Sequence, residues 1–203
     1  MKLYGDLLSP FVRMSMVTAL EAGLALRVQL VSAVLKPHEV NAALEKLSPI
    51  GKVPILETDH GHALYDSRVI MEYFCHVAGN KSLLPDEGNK HFRVLTLQAL
   101  AQGLGDAAVS LRYETATRPA ANHWPDYAAR QQARIKACMN EMETNWHELL
   151  GEVNLGAIAT AAVLAYIDIR GLSPDWRQGR PQLAAFAETF AIRESMKHTE
   201  PRT

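Results

Sequence analysis

At 203 residues, 48% apolar and 21% charged, the chain is long enough for one large or two small domains and has the composition of a folded protein with a sizeable core. A net charge of −1 leaves no basic footprint for nucleic acid or an anionic membrane surface. Two cysteines, Cys75 and Cys138, are too few for a disulfide scaffold and suit a reducing compartment.

The opening Met1-Lys2-Leu3-Tyr4-Gly5-Asp6 lacks the apolar run of a signal peptide. The weakly polar run 155–167 is too short to span a bilayer. The expectation is a soluble, cytoplasmic protein with no membrane partner. Short apolar runs at 3–5 and 27–31 read as strands, separated by a helical pattern over 10–23 with Val12, Met16, Ala19 and Leu20 on one face. Gly23 stands where a C-terminal cap belongs. Strand, helix, strand within about thirty residues is a βαβ unit, hence a parallel pair with a right-handed crossover. A weaker helical stretch over 40–47 follows. Pro54 to Glu57 and His62 to Leu64, joined by Asp59-His60-Gly61, read as a β-hairpin. Asp66-Ser67 then opens a helix with an apolar stripe of Val69, Ile70, Tyr73, Phe74 and Val77.

Residues 80–88, with Pro85, Asp86 and Gly88, form the linker candidate. Beyond it the alternating pattern vanishes and helices are expected over 91–117, 126–150, 155–169 and 182–192. The second carries Ile135, Cys138, Met142, Trp146 and Leu149, and the third is capped by Asn154. The predicted organisation is a small α/β domain over 1–79, a linker over 80–88 and an all-helical domain over 89–203.

Three local signals carry chemistry. Ser9-Pro10-Phe11-Val12-Arg13 lies at the junction of the first strand and first helix. Serine is a preferred N-cap and proline a preferred first helical residue, so the pair starts the helix well whatever its function. A helix N-terminus also offers free N–H groups and partial positive charge, and a hydroxyl there can donate to a bound thiolate. A free thiol titrates near 8.5, and a fall of about two units is roughly 2.7 kcal/mol of thiolate stabilisation. In Gly51-Lys52-Val53-Pro54-Ile55-Leu56 a proline opens a strand, which fits either an edge-strand trans proline or a cis bond. A cis bond would turn the Val53 backbone outward to meet a peptide-like ligand. Asp66-Ser67 is a good helix cap and equally an anion site, with Asp66 suited to an ammonium group. Together these describe a short thiol peptide: sulfur at Ser9, backbone at Val53, and zwitterionic end at Asp66-Ser67.

These motifs resemble those of the glutathione transferase superfamily, serine-type and similar to its bacterial and tau-like members. Its members join a thioredoxin-like α/β domain to an all-α domain. Ser9-Pro10-Phe11-Val12-Arg13 is similar to the S-P-F-x-x-R motif, with its arginine one place early and Met14 at the motif's last position, Lys52-Val53-Pro54 to the segment before the family's cis-proline, and Asp66-Ser67 to its acidic-serine pair. The resemblance implies glutathione as co-substrate, no metal, Ser9 as the catalytic hydroxyl, and Val53, Pro54, Asp66, Ser67, Lys52 and Lys36 as glutathione contacts. It further implies an electrophile pocket bordered by Leu8, Phe11, Leu111, Arg112 and Tyr113, and a homodimer touching through Arg68 and Met71. The function it implies is conjugation or reduction of small electrophiles. The alternatives are a non-catalytic binding or regulatory relative, or a glutathione-dependent isomerase or dehalogenase. Cys75 and Cys138 read as inert thiols, His60-Gly61-His62 as a turn rather than a zinc site, and the three tryptophans as packing residues. The family's buried helix begins with a full capping box; here Ala157 stands at its third position, and Ala157→Asp is expected to add about 0.5–1 kcal/mol.

Overall fold

The computed structural model describes residues 1–86 and 88–201. Its N-terminal part is a four-stranded sheet in the order β2-β1-β3-β4, from β1 (Lys2–Gly5), β2 (Gln29–Ser32), β3 (Ile55–Glu57) and β4 (Ala63–Leu64). Strands β1 and β2 pair in parallel, Leu3 beside Leu30, across the crossover helix α1 (Pro10–Glu21). Strands β3 and β4 form the expected hairpin, Leu56 beside Leu64, and β3 runs antiparallel to β1 with Ile55 beside Tyr4. Helix α2 (Ala42–Leu47) begins at Asn41, whose side chain accepts the Leu44 N–H. Helix α3 (Ser67–Ala78) follows the hairpin.

One cluster of apolar side chains joins the sheet to its helices: Leu3 and Leu56 from the strands meet Val12 and Ala19 from α1 and Ile70 and Phe74 from α3. The buried stripe of α3 differs from the sequence expectation. Ile70 and Phe74 are inside, but so are Met71 and Cys75, while Val69 is 47% exposed. The helix is clasped between the sheet and the helical domain, so its covered face is wider than an amphipathic stripe facing one neighbour. Met71 is fully buried and reaches the Gln98 amide, so it is not a contact for a second subunit.

The helical part contains α4 (Gly88–Arg112), α5 (Pro125–Asn145), α6 (His147–Leu150), α7 (Leu155–Arg170), α8 (Pro181–Ala191) and α9 (Glu194–His198). Helix α4 ends at Arg112, five residues before the expected end at 117, because Tyr113–Thr117 widens into a π-helical turn. The expected helix over 126–150 is broken at Trp146 into α5 and α6. The stretch Gly88–Thr117 is long and apolar enough to cross a membrane by length and composition, but more than half of its apolar window is buried among the other helices. Helix α7 is covered on nearly every side, as its Ala-rich sequence allows. Asn154 caps it, accepting the Ala157 N–H at 2.9 Å. Ala157 is 0% exposed, so an aspartate there would bury a carboxylate, and the stabilisation expected from completing the box is reversed in sign.

The two parts are joined around α1. The Arg13 guanidinium, nearly buried, donates to the Met196 carbonyl at 3.1 Å. Glu21 accepts two bonds from Arg193, at 2.8 and 2.9 Å, and one from Ser195. The helix that begins at Ser9 is thereby anchored to the C-terminal segment.

Candidate functional site

The sheet topology brings the sequence motifs to one edge. The carboxyl ends of β1, β2 and β4 and the amino end of β3 lie side by side, because β2 is parallel to β1 while β3 is antiparallel to both β1 and β4. The loop to Ser9 leaves β1 there, the loop carrying Lys36 leaves β2 there, Val53-Pro54 enters β3 there and Asp66-Ser67 follows β4 there. Open sheets bind ligands at such edges.

Gly5 makes the first turn possible. Its φ is 150°, and a side chain at this position would collide with Val12. The chain then passes Asp6, whose carboxylate accepts the Leu8 N–H at 2.7 Å, and enters α1 at Ser9. The Ser9 N–H donates to the Asp6 carbonyl at 2.9 Å, which fixes the residue. Its Oγ accepts only a long bond, 3.5 Å from the Val12 N–H, and among the described residues its proton has no acceptor. A half-exposed hydroxyl with a free proton thus sits at the positive end of a helix.

The Val53–Pro54 bond is cis, which resolves the alternative the sequence left open; Tyr65–Asp66 is cis as well. Asp66 caps α3, accepting the Arg68 N–H at 3.0 Å, and its carboxylate also meets the Arg68 guanidinium at 3.1 Å. That contact raises the Arg68 pKa. Ser67 is buried and its Oγ accepts a 2.7 Å bond from the Gln102 amide of α4. Lys52 is exposed. Lys36 is exposed too, and its ammonium is occupied by Glu39 at 2.8 Å.

Two residues that sequence reasoning missed belong to this neighbourhood. Gln102 is 8% exposed, and its amide touches both Ser67 and the Met14 sulfur of α1, tying the site to the helical domain. Asp106, one turn further along α4, is raised in pKa by desolvation, while Lys52 and Arg68 pull it down and Asp66 pushes it up. Lys52, Arg68 and Asp66 therefore all act on the Asp106 carboxyl. A polar residue inside an otherwise apolar helix, such as Gln102, is the signal that was available.

On the acceptor side, Leu8 and Phe11 are half-buried at the start of α1, and the Phe11 ring lies against Gly105 of α4. Leu111 is 2% exposed inside the helical core, so it does not reach the cleft. Arg112 is half-buried and Tyr113 is 38% exposed. Tyr113 and Ser110 line a cleft of about 790 Å³ closed by Pro37 and His38 from the loop after β2 and by Trp124 and Tyr127 opposite. Trp124 is 62% exposed and stacks on Tyr127 with ring centroids 6.0 Å apart, so this tryptophan is not the packing residue the sequence suggested. The buried Glu114 holds that wall, accepting the Trp124 N–H at 2.6 Å and the Arg118 Nε at 2.8 Å; these donors, Trp124 first, keep its carboxyl below the usual range. Burial pushes the Cys75 thiol up to about 12 and that of Cys138 up as well, so neither is a nucleophile at neutral pH.

Comparison with known proteins agrees with this geometry. The sequence profile of the glutathione S-transferase N-terminal domain matches residues 8–77. The chain is 33% identical to the uncharacterized GST-like protein YibF of Escherichia coli (strain K12) over 99% of this chain and 98% of that protein. Among solved structures, a glutathione transferase family member from Pseudomonas fluorescens Pf-5 with bound glutathione superposes with a TM-score of 0.96 at 38% identity, covering 100% of this chain and 99% of that one. A structure of a family member from the same strain with bound S-(propanoic acid)-glutathione gives 0.90 at 36% identity, covering both chains completely. A thioredoxin-like sheet domain with an attached helical domain, together with full-length likeness in sequence, shows that this chain belongs to the glutathione S-transferase family.

Proposed function

We propose that the chain is a serine-type glutathione transferase that joins glutathione to small electrophiles. The observation that carries this reading is the convergence, at one edge of the sheet, of an unspent Ser9 hydroxyl at a helix N-terminus with the cis Val53–Pro54 bond and the Asp66-Ser67 cap. In this reading the Ser9 O–H donates to the glutathione sulfur and favours its ionised form, and the thiolate does the covalent work. The Val53 backbone pairs with the cysteinyl portion, Pro54 shapes the turn, and Ser67 and Asp66 with Arg68 hold the γ-glutamyl end. Lys52 supplies positive charge at the mouth, and Lys36 reaches the glycine carboxylate by exchanging Glu39 for it. The electrophile lies against Leu8, Phe11, Arg112 and Tyr113.

The bound S-conjugate in the Pseudomonas fluorescens relative supports conjugation as the chemistry. A second copy of this chain is the proposed partner, with exposed Arg68 as a contact. A glutathione-containing cytoplasm suits both. Calorimetric titration with glutathione tests the reading first: a regulator that has lost the site gives no heat of binding. Ser9→Ala is expected to lower conjugation of a model electrophile by about one to three orders of magnitude while retaining glutathione binding. Full activity in that variant removes the role assigned to Ser9.

A further inference from the structure

The helix register identifies what lies beside Ser9 on the acceptor side. Helices α4 and α7 run parallel, with Gly156 against Leu97 and Gly105 against Val163. Helix α1 is antiparallel to both, since Phe11 meets Gly105 while Met14 meets Gln102. About two turns beyond Gly105 and one beyond Val163, this register sets the loop before Ser9 level with Arg112 and with the stretch from Tyr166 to Arg170.

Arg112 and Arg170 end α4 and α7, and among the described residues neither has an acidic partner. The helix dipole favours cations at these positions and would account for two solvated arginines. It does not account for Arg170 Nε, which is buried with no hydrogen-bond partner among the described residues. Buried donors are ordinarily paired, so this one points to an absent acceptor. The nearby Asp168 is already engaged by Arg177, at 2.7 and 2.9 Å, and by the Trp176 Nε1 at 2.7 Å. The Arg170 guanidinium lies 5.8 Å from the ring of Tyr166, itself only 6% exposed. Burial raises the pKa of that phenol and Tyr113 adds to the rise, while Arg170 and Arg112 lower it.

We propose that this corner receives an anionic group of the second substrate: the electrophile carries a carboxylate, bound by Arg112 and Arg170 beside the Tyr166 hydroxyl. The inference rests on the glutathione reading above. Guanidinium groups suit a planar carboxylate because their paired donors match its two oxygens.

A matched pair of acceptors tests it: a chlorodinitrobenzene and the same ring bearing a carboxylate. With either one the glutathione sulfur forms a C–S bond, the C–Cl bond breaks, chloride leaves with its electron pair and the thiol proton goes to solvent. The two resulting conjugates, prepared beforehand, are titrated into the protein by calorimetry, so the readout needs no turnover. The expected result is that the carboxylated conjugate binds at least about tenfold more tightly, the effect of one charge-assisted hydrogen bond, and that added salt erodes the preference. Arg112→Gln and Arg170→Gln should each bring the ratio close to one. Arg112 ends its helix with a half-buried side chain, so that variant keeps the test open if Arg170→Gln does not fold. Equal affinities in the unmodified protein, or a preference surviving both substitutions, overturn the proposal. The affinity for glutathione, measured alongside, reports separately on the underlying reading, and its absence overturns that reading first.

Discussion

Truncating Gln102 to alanine disconnects the candidate glutathione site from the helical domain through a single buried side chain. The amide donates to Ser67 Oγ at 2.7 Å and touches the Met14 sulfur at 3.4 Å. Its loss removes one good hydrogen bond, about 1 kcal/mol, and the burial of one methylene, about 0.8 kcal/mol, for a destabilisation of about 2 kcal/mol. Ser67 then regains rotational freedom, and the glutathione Kd is expected to rise about three- to tenfold, equivalent to about 0.7–1.4 kcal/mol. Gln98 provides the control. It lies one turn earlier on α4, is buried still more fully, and donates only to the Met71 sulfur at 3.4 Å, a weak acceptor. Gln98→Ala should cost comparable stability without shifting glutathione affinity. Urea denaturation and calorimetry on both variants separate the two effects. If Gln102→Ala weakens glutathione binding no more than Gln98→Ala does, the positioning role is refuted.

Other perturbations probe the frame. Glu21 titrates low because Arg193, aided by Ser195, holds its ionised form against the opposing effect of burial. A depressed carboxyl stabilises the fold above its unfolded pKa of about 4.3, and that contribution disappears as pH falls through the lower folded value. Glu21→Gln should therefore cost about 1–2 kcal/mol at neutral pH and flatten the acid limb of a urea-midpoint profile; an unchanged acid limb counts against the pairing. Gly156→Ala sets a methyl 2.7 Å from Leu97 carbons at the α4–α7 contact. Overpacking of about 1–3 kcal/mol should exceed the helix-propensity gain of about 1, so the melting temperature should not rise. Ala157→Asp, placing a carboxylate at a fully buried position, should destabilise by about 1–3 kcal/mol, and a raised midpoint would show that the capping box outweighs the burial.

Features set by neighbouring residues were readable before any coordinates. Ser9-Pro10, Asn154 and Asp66 announce helix starts because a cap is satisfied within three residues, and Asp59-His60-Gly61 announces its turn for the same reason. Ser9 and Asp66-Ser67 lie on two of these caps, and the strand order carries them, with Val53 and Pro54, to one edge. What depended on packing between distant segments was not readable. Arg13 sits inside a quoted motif, yet its partner is the Met196 carbonyl, 183 residues away. Leu111 and Met71 matched exposed-face expectations but are enclosed by the α4–α7 core and by α4. Ala157 looked like a vacant cap position, and only the surrounding helices reveal that it is filled space. Gln102 and Asp106 face the site because α4 crosses α1 and α3, a relation that no periodicity encodes.

The central claim is that the Ser9 hydroxyl favours the thiolate of bound glutathione. The most direct measurement is the ultraviolet absorbance of that thiolate, titrated against pH in the unmodified protein and in Ser9→Ala, each saturated with glutathione. The account expects the bound sulfur to titrate about two units below the free value of about 8.5, and to return at least about one unit toward it in the variant. A bound sulfur that titrates at the free value, or equally low in both proteins, would contradict it.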